Sequence, residues 1–122
     1  MTTLRTERLI LRPFALADAP RVAEFMTQWD VARMTASFPF PNFPISIEGW
    51  ILIGLARTAS GMDEHRFAIT TDADGVIGGV GLHPQNEGGY ELGYWIGPPF
   101  WGKGYASEAT AAAAHYAAAR SN

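Results

Sequence analysis

The chain has 122 residues, of which 48% are hydrophobic and 17% are charged, and its formal net charge is −3. This length is typical of one domain with a modest core, and the composition is that of a soluble globular protein rather than a disordered one. The sequence contains no block of like charges, so its charge distribution gives no indication of binding to nucleic acid or to an anionic membrane. The chain contains no cysteine. Disulfides, thiolate metal sites and a cysteine nucleophile are therefore all excluded.

No stretch approaches the roughly 18 apolar residues that a membrane span needs, and the first residues lack the apolar run of a signal peptide. We therefore expect a cytoplasmic protein with a single domain over residues 1–122 and with neither a nucleic-acid nor a membrane partner. The three histidines, His65, His83 and His115, show no metal-ligand spacing, so no metal site is expected.

The first half of the chain predicts one strand and two helices. Alternating apolar residues predict a strand over Leu4–Arg12, ended by Pro13. Apolar residues at helical spacing predict a helix from Asp18 to Gln28. The stretch Phe38–Pro44, rich in proline and phenylalanine, predicts an ordered loop that is either a packed connector or the wall of a ligand pocket. Ser46 is the predicted N-cap of a second helix.

The second half predicts three strands and a last helix. Arg66–Thr71 and Val76–Leu82 read as strands on either side of the hairpin turn 72–75, and Tyr90–Ile96 is the next strand. An alanine-rich helix should follow over Tyr105–Arg120. The order β-α-α-β-β-β-α predicts an α+β fold in which helices flank a mainly antiparallel sheet.

A glycine-rich loop between the last strand and the last helix predicts an anion site. Gly102 and Gly104 allow backbone N–H groups to approach a ligand closely. The helix that follows directs its unpaired N–H groups and its positive end to the same place. Lys103 adds a point charge. Together these features are typical of a phosphate or pyrophosphate site.

Two other phosphate-binding motifs fit this loop less well. The spacing from Gly97 to Gly102-Lys103 satisfies G-x-x-x-x-G-K of a P-loop, but Gly104 stands where a serine or threonine must hold magnesium. A dinucleotide fingerprint starting at Gly102 lacks its third glycine or alanine, because Ser107 occupies that position, and no parallel strand follows.

The segments Tyr90–Gly97 and Phe100–Ala109 closely resemble the acetyl-CoA motif of GNAT superfamily N-acetyltransferases, in the branch that contains the ribosomal-protein N-terminal (alanine/serine) acetyltransferases. Thr6–Pro13 with Asp18, and Val76–Gly81, are also similar to that branch. The resemblance therefore spans nearly the whole chain in the right order. It implies a GNAT-like acyl-CoA N-acyltransferase fold.

The general loop of this superfamily is Arg/Gln-x-x-Gly-x-Gly/Ala. Gly104 and Ala106 match it, and Trp101 replaces the arginine or glutamine, as is usual in this branch. The resemblance implies that the strand backbone pairs with the pantetheine arm and that the loop amides hold the pyrophosphate. The implied cofactor-binding residues are Tyr94, Trp95, Ile96, Trp101, Gly102, Lys103, Gly104, Tyr105 and Ala106.

The resemblance also implies a reaction, the transfer of acetyl from acetyl-CoA to a primary amine by direct attack. A backbone N–H on the strand Tyr90–Ile96 would polarise the acetyl carbonyl. The amine must be neutral to attack, and Glu91, beside the thioester, is the candidate general base, acting directly or through water. The acceptor stays open among a protein N-terminus, an antibiotic amine and a small polyamine.

A complete member of this family continues with a further strand, a helix and a hairpin, which this chain would lack after Asn122. The strand Tyr90–Ile96 would then keep one open edge, so we expect a homodimer. The alternative to an enzyme is a catalytically silent CoA-binding or assembly module left by truncation.

Overall fold

The computed structural model describes residues 2–33 and 44–120. Five strands form one sheet in the order β1-β2-β3-β4-β5, and every neighbouring pair is antiparallel. The strands are β1 Leu4–Arg5, β2 Ile10–Pro13, β3 His65–Thr71, β4 Gly75–Pro84 and β5 Tyr90–Ile96. The helices are α1 Ala19–Met26, α2 Trp29–Ala32, α3 Pro44–Ala59 and α4 Tyr105–Arg120. This architecture confirms the predicted α+β class. The parallel sheet that a P-loop or dinucleotide fold needs does not occur among the described residues.

The prediction of one strand over Leu4–Arg12 is wrong, because the segment is a tight hairpin. Leu4 pairs with Leu11 across it. The turn is closed by Thr6, whose backbone N–H donates to the Leu9 carbonyl at 2.9 Å and whose hydroxyl accepts the Leu9 N–H at 3.0 Å. A threonine side chain that bonds its local backbone competes with an extended ladder, which explains the break. As predicted, β2 ends at Pro13.

The helices begin close to where the sequence places them, with one correction. Asp18 occupies the N-cap position of α1, at the start of the helix predicted from Asp18 to Gln28. The helix ends at Met26, and the short helix α2 that follows from Trp29 was not predicted. Ser46 is not an N-cap, because α3 already begins at Pro44. Proline is favoured in the first turn, where its missing N–H is not needed. The rest of the predicted Phe38–Pro44 loop lies outside the described residues.

The hairpin and the last two elements are confirmed. The turn 72–75 joins β3 to β4 and ends at Gly75, whose φ of 68° suits glycine. Both strands run slightly longer than predicted, since β3 starts at His65 and β4 reaches Pro84. The bounds of β5 and α4 are those expected from the sequence.

Buried residues form one cluster on each face of the sheet. On one face α1, α2 and α3 cover a cluster that includes Trp95, and α4 covers the other face with Ala109 and Ala113 fully buried. Small alanines let α4 approach the sheet closely. Both faces of β5 are therefore flanked by helices, while among the described residues only β4 pairs with its backbone.

Candidate active site

The outer edge of β5 presents backbone groups to a ligand. The Gly97 N–H donates to the Ile77 carbonyl at 2.8 Å, and hydrogen bonding alternates along an antiparallel ladder. Tyr94 and Ile96 therefore direct their N–H and C=O groups away from β4. The Trp101 indole N–H confirms this phase, since it donates to the Ile96 carbonyl at 2.6 Å. Among the residues that the structure describes, no strand occupies this edge.

The loop after β5 has the backbone shape of an anion site. Gly102 and Gly104 have φ values of 75° and 81°, a region that side chains with a Cβ rarely adopt. The Glu108 N–H already bonds the Gly104 carbonyl at 3.1 Å, so the preceding amides of the first helical turn face the loop. A pocket of about 280 Å³ lies here. Its lining consists of Tyr94, Ile96, Phe100, Trp101, Gly102, Gly104, Tyr105, Ala106 and Ser107.

A contact from the other end of the chain supports this loop. The Arg8 guanidinium donates to the Lys103 carbonyl at 2.9 Å and to Glu108 at 2.7 Å, and it lies 4.5 Å from the centroid of the Tyr105 ring. The hydrogen bond from the Thr6 hydroxyl, followed by those from Arg8, lowers the pKa of Glu108. From the sequence this contact was missed, because its partners are about 100 residues apart in the chain.

The structure brings the predicted cofactor residues together, with one distinction. The side chains of Tyr94 and Trp101 are exposed at 43% and 41%, and Lys103 is also exposed at the mouth of the loop. The Trp95 side chain is only 3% exposed and packs beside Phe25 at 6.1 Å between ring centroids. Its side chain therefore belongs to the core, and only its backbone lies near the β5 edge.

The candidate base Glu91 lies on the opposite face of the sheet from α4. Side chains alternate along a strand, so Glu91, Gly93 and Trp95 share the face that α1 and α3 cover. Glu91 is exposed and accepts a hydrogen bond from the Gln85 amide at 3.3 Å. The backbone of β5 at Tyr94 can be reached from both faces of the sheet.

A small pocket on the face of Glu91 is floored by glycines. Gly79, Gly81 and Gly93 line the pocket, with the rings of Trp95 and Phe14 packed over Gly79, and the cavity volume is about 40 Å³. This is room for a few water-sized groups, enough for an amine head but not for a whole substrate. The walls are formed by Phe14, Trp50, Arg66, Val80, His83, Tyr94 and Trp95.

A buried carboxylate, Glu64, stands behind this pocket at 8% exposure. Its oxygens lie 2.8 Å from His83 Nδ1, 3.2 Å from Arg57 and 3.3 Å from Arg66. Burial alone would raise the pKa of Glu64, but the charge of Arg66 and the hydrogen bonds from both arginines outweigh burial and lower it. From the sequence this cluster was missed, since His83 was considered only as a possible metal ligand.

Residues 2–33 and 44–120 contain no group of three or more acidic or histidine side chains placed to hold a metal ion. None of the helices in that part of the chain has both the length and the apolar character to cross a membrane.

Comparison with known proteins places the chain in a family. A family model for the acetyltransferase (GNAT) domain matches residues 8–122. Over 111 residues the chain is 33% identical to an uncharacterized N-acetyltransferase, p20, of Bacillus licheniformis, which covers 89% of this chain and 62% of that protein. The chain thus spans less than two thirds of this relative.

Two solved structures share the fold. A GNAT-family acetyltransferase of Bacillus anthracis aligns with a TM-score of 0.77 and 25% identity, over 94% of this chain and 65% of its own. A ribosomal-protein alpha-N-acetyltransferase solved in complex with coenzyme A aligns with a TM-score of 0.76 and 15% identity, over 94% of this chain and 67% of its own.

Proposed function

Since the chain belongs to the GNAT acetyltransferase family, we propose that it binds acetyl-CoA and transfers the acetyl group to a primary amine. One observation carries the proposal. The outer edge of β5, which no strand in the described part of the chain occupies, leads directly into a loop with two glycines of positive φ. This loop ends at the N-terminus of the 16-residue helix α4. The same stretch of backbone therefore places, side by side, a strand edge that can hydrogen-bond a peptide-like ligand and a site for an anion.

Each part of the cofactor matches one part of this backbone. The pantetheine arm contains amides, which pair with the N–H groups of Tyr94 and Ile96 and with the C=O group of Tyr94 as another strand would. The pyrophosphate lies on the amides from Gly102 to Ala106, where the end of α4 favours negative charge. Lys103 supplies a positive charge at the mouth. Trp101 and Tyr105 lie beside the loop, whereas Trp95 directs its side chain to the core and its N–H and C=O groups to β4.

The acetyl transfer takes place where the outer edge of β5 meets the small pocket lined by Gly79, Gly81 and Gly93, which we call the glycine pocket. A backbone N–H of β5 polarises the acetyl carbonyl, which is electrostatic catalysis by a fixed donor. The amine enters from the face that carries Glu91 and attacks the carbonyl carbon directly. Glu91 is exposed at the solvent end of this face and accepts the proton through water.

The acceptor is a protein N-terminus, an antibiotic amine or a small polyamine. The fold neighbour that is named as a ribosomal-protein alpha-N-acetyltransferase favours the first of these. The glycine pocket is consistent with this choice, because its 40 Å³ admits an amino group while the rest of the acceptor stays outside. We propose a cytoplasmic setting, where acetyl-CoA and such acceptors are both present.

Calorimetry with CoA tests the binding site. Gly104→Val should weaken binding at least about tenfold, because valine disfavours the φ of 81° and its Cβ would lie 3.3 Å from the Arg8 guanidinium. Gly61→Val is the matched control, since Gly61 has a φ of 88° and no atom within 4 Å of its Cβ position. Equal loss in both variants, or no binding by the wild type, would contradict the proposal.

Turnover is measured by release of the CoA thiol with a thiol reagent, which reads only the product because the protein contains no cysteine. Peptides that begin with serine or alanine, spermidine and an aminoglycoside serve as acceptors. Release that depends on the amine supports the enzyme. CoA binding without release for any acceptor would support the silent CoA-binding module instead.

A further inference from the structure

We propose that His83, oriented by Glu64, accepts the proton of the acceptor amine inside the glycine pocket. This inference rests on the proposed acetyl transfer and adds a residue to it. His83 lies on β4, directly across from Glu91 on β5, and both side chains share the pocket face of the sheet. Its side chain is 35% exposed, so it is neither sealed in the core nor free in solvent.

The position of the imidazole is set by its two nitrogens. Nδ1 lies 2.8 Å from a Glu64 oxygen. Nε2 lies 3.4 Å from the place where a Cβ on Gly81 would stand, so it extends over the bare floor of the pocket. A side chain at position 81 would occupy the space next to this nitrogen. Glycine at this position therefore keeps Nε2 accessible from the pocket.

Glu64 determines the tautomer of His83. The two arginines that contact Glu64 keep it ionised, and an ionised carboxylate only accepts hydrogen bonds. Nδ1 must therefore carry the proton, which leaves the lone pair of a neutral imidazole on Nε2, on the pocket side. A buried carboxylate that orients a histidine in this way also stabilises the imidazolium that forms on proton transfer.

The charged and titratable groups around His83 come from all the elements that surround it. They are Arg57 on α3, Glu64 just before β3, Arg66 on β3, and Glu91 and Tyr94 on β5. The two arginines are already bound to Glu64. The imidazolium is therefore balanced by Glu64 at Nδ1 and by the carboxylate of Glu91 across the strand pair.

The proton and electron balance is complete without a further reactant. The acceptor arrives as an ammonium and gives one proton to His83 Nε2. The lone pair of the neutral amine forms the C–N bond at the acetyl carbon, and the C–S bond breaks with its electron pair on sulfur. The second amine proton becomes the proton of the CoA thiol. His83 then passes its proton through water to Glu91, across the strand pair, and from there the proton reaches solvent.

The pH dependence of kcat/KM tests this role. His83→Gln keeps a donor toward Glu64 but cannot accept a proton, and it should lower kcat/KM about 100-fold or more. It should also remove the rise of kcat/KM with pH that deprotonation of the catalytic base produces. His115→Gln, at an exposed position on α4, is the matched control and should retain the wild-type profile.

Two further variants separate a catalytic from a structural role. Glu64→Gln should lower kcat with little change in KM, since it misorients the base without touching the substrate. Added imidazole should restore part of the turnover of His83→Ala, but none of that of Glu64→Gln. A His83→Gln enzyme with an unchanged pH profile, while the wild type turns over, would overturn the inference and leave the proposed function standing. A wild type that acetylates no amine would overturn both.

Discussion

Asp18 is a buried carboxylate whose interactions explain why the segment before α1 folds as it does. It receives hydrogen bonds from both terminal nitrogens of Arg12, at 2.8 and 2.9 Å, and from the Ala15 N–H at 2.8 Å. Burial alone would raise the pKa of Asp18, but these hydrogen bonds and the charge of Arg12 lower it from its ordinary 3.8. The bonds tie the end of β2 to the start of the helical layer.

Replacing this carboxylate has a pH signature. Because the folded pKa lies below 3.8, Asp18 contributes stability that is present above this value and is lost as the pH falls through the folded pKa. Asp18→Asn should therefore unfold at lower urea, with a loss of about 2 kcal/mol near neutrality that shrinks in acid below pH 3.8. Glu48→Gln, at an exposed position on α3, is the control. A loss that stays constant down to strong acid would contradict this role.

At the scale of single elements, β4 depends on close backbone approach. A Cβ on Gly78 would lie 2.3 Å from the Trp95 carbonyl oxygen, a backbone atom that cannot move aside alone. A Cβ on Gly93 of β5 would meet nothing within 4 Å. Both glycines belong to the β4–β5 pair, but neighbouring atoms lie much closer to Gly78 than to Gly93.

Alanine at these two positions should therefore behave differently. Gly78→Ala forces the β4–β5 pair apart and should cost about 1–3 kcal/mol, as overpacking does. Gly93→Ala should leave the melting temperature unchanged within a degree or so. Thermal unfolding followed by circular dichroism measures both. Equal melting temperatures for the two variants would show that the strand pair yields easily.

Elements with local signals were predictable, and those set by distant partners were not. β5 and α4 have the predicted bounds because an alternating strand, a glycine loop and an alanine-rich run each carry their own signature. The Leu4–Arg12 strand failed because Thr6 closes a turn, and Thr6 also bonds Glu108 on α4.

The candidate site divides in the same way. The glycine loop was predictable, since a positive φ leaves its mark in the sequence as glycine. Arg8 could not be linked to this loop, because the chain between them gives no sign that they meet. The pair of Glu64 and His83 was equally hidden, since it forms only when β3 and β4 pair and α3 supplies Arg57.

For the molecule as a whole we expect self-association, because within residues 2–33 and 44–120 no strand pairs with the outer edge of β5. Edge strands offer unpaired backbone to other chains, and here the edge is flanked by the exposed side chains of Tyr94 and Trp101. We expect a two-fold homodimer at micromolar concentration, measured by light scattering. CoA should shift it toward monomer, because the pantetheine arm needs the same edge. A monomer at every concentration, with or without CoA, would contradict this expectation.

The central claim is that CoA binds to backbone groups of the β5 edge and the following loop. Amide hydrogen exchange with and without saturating CoA tests it most directly, since binding protects the amides that donate to the ligand. We predict that protection rises at Tyr94, Ile96 and the amides from Gly102 to Ala106, and that the turn 72–75 is unaffected. Unchanged exchange at these amides, or protection centred elsewhere in the chain, would contradict the account.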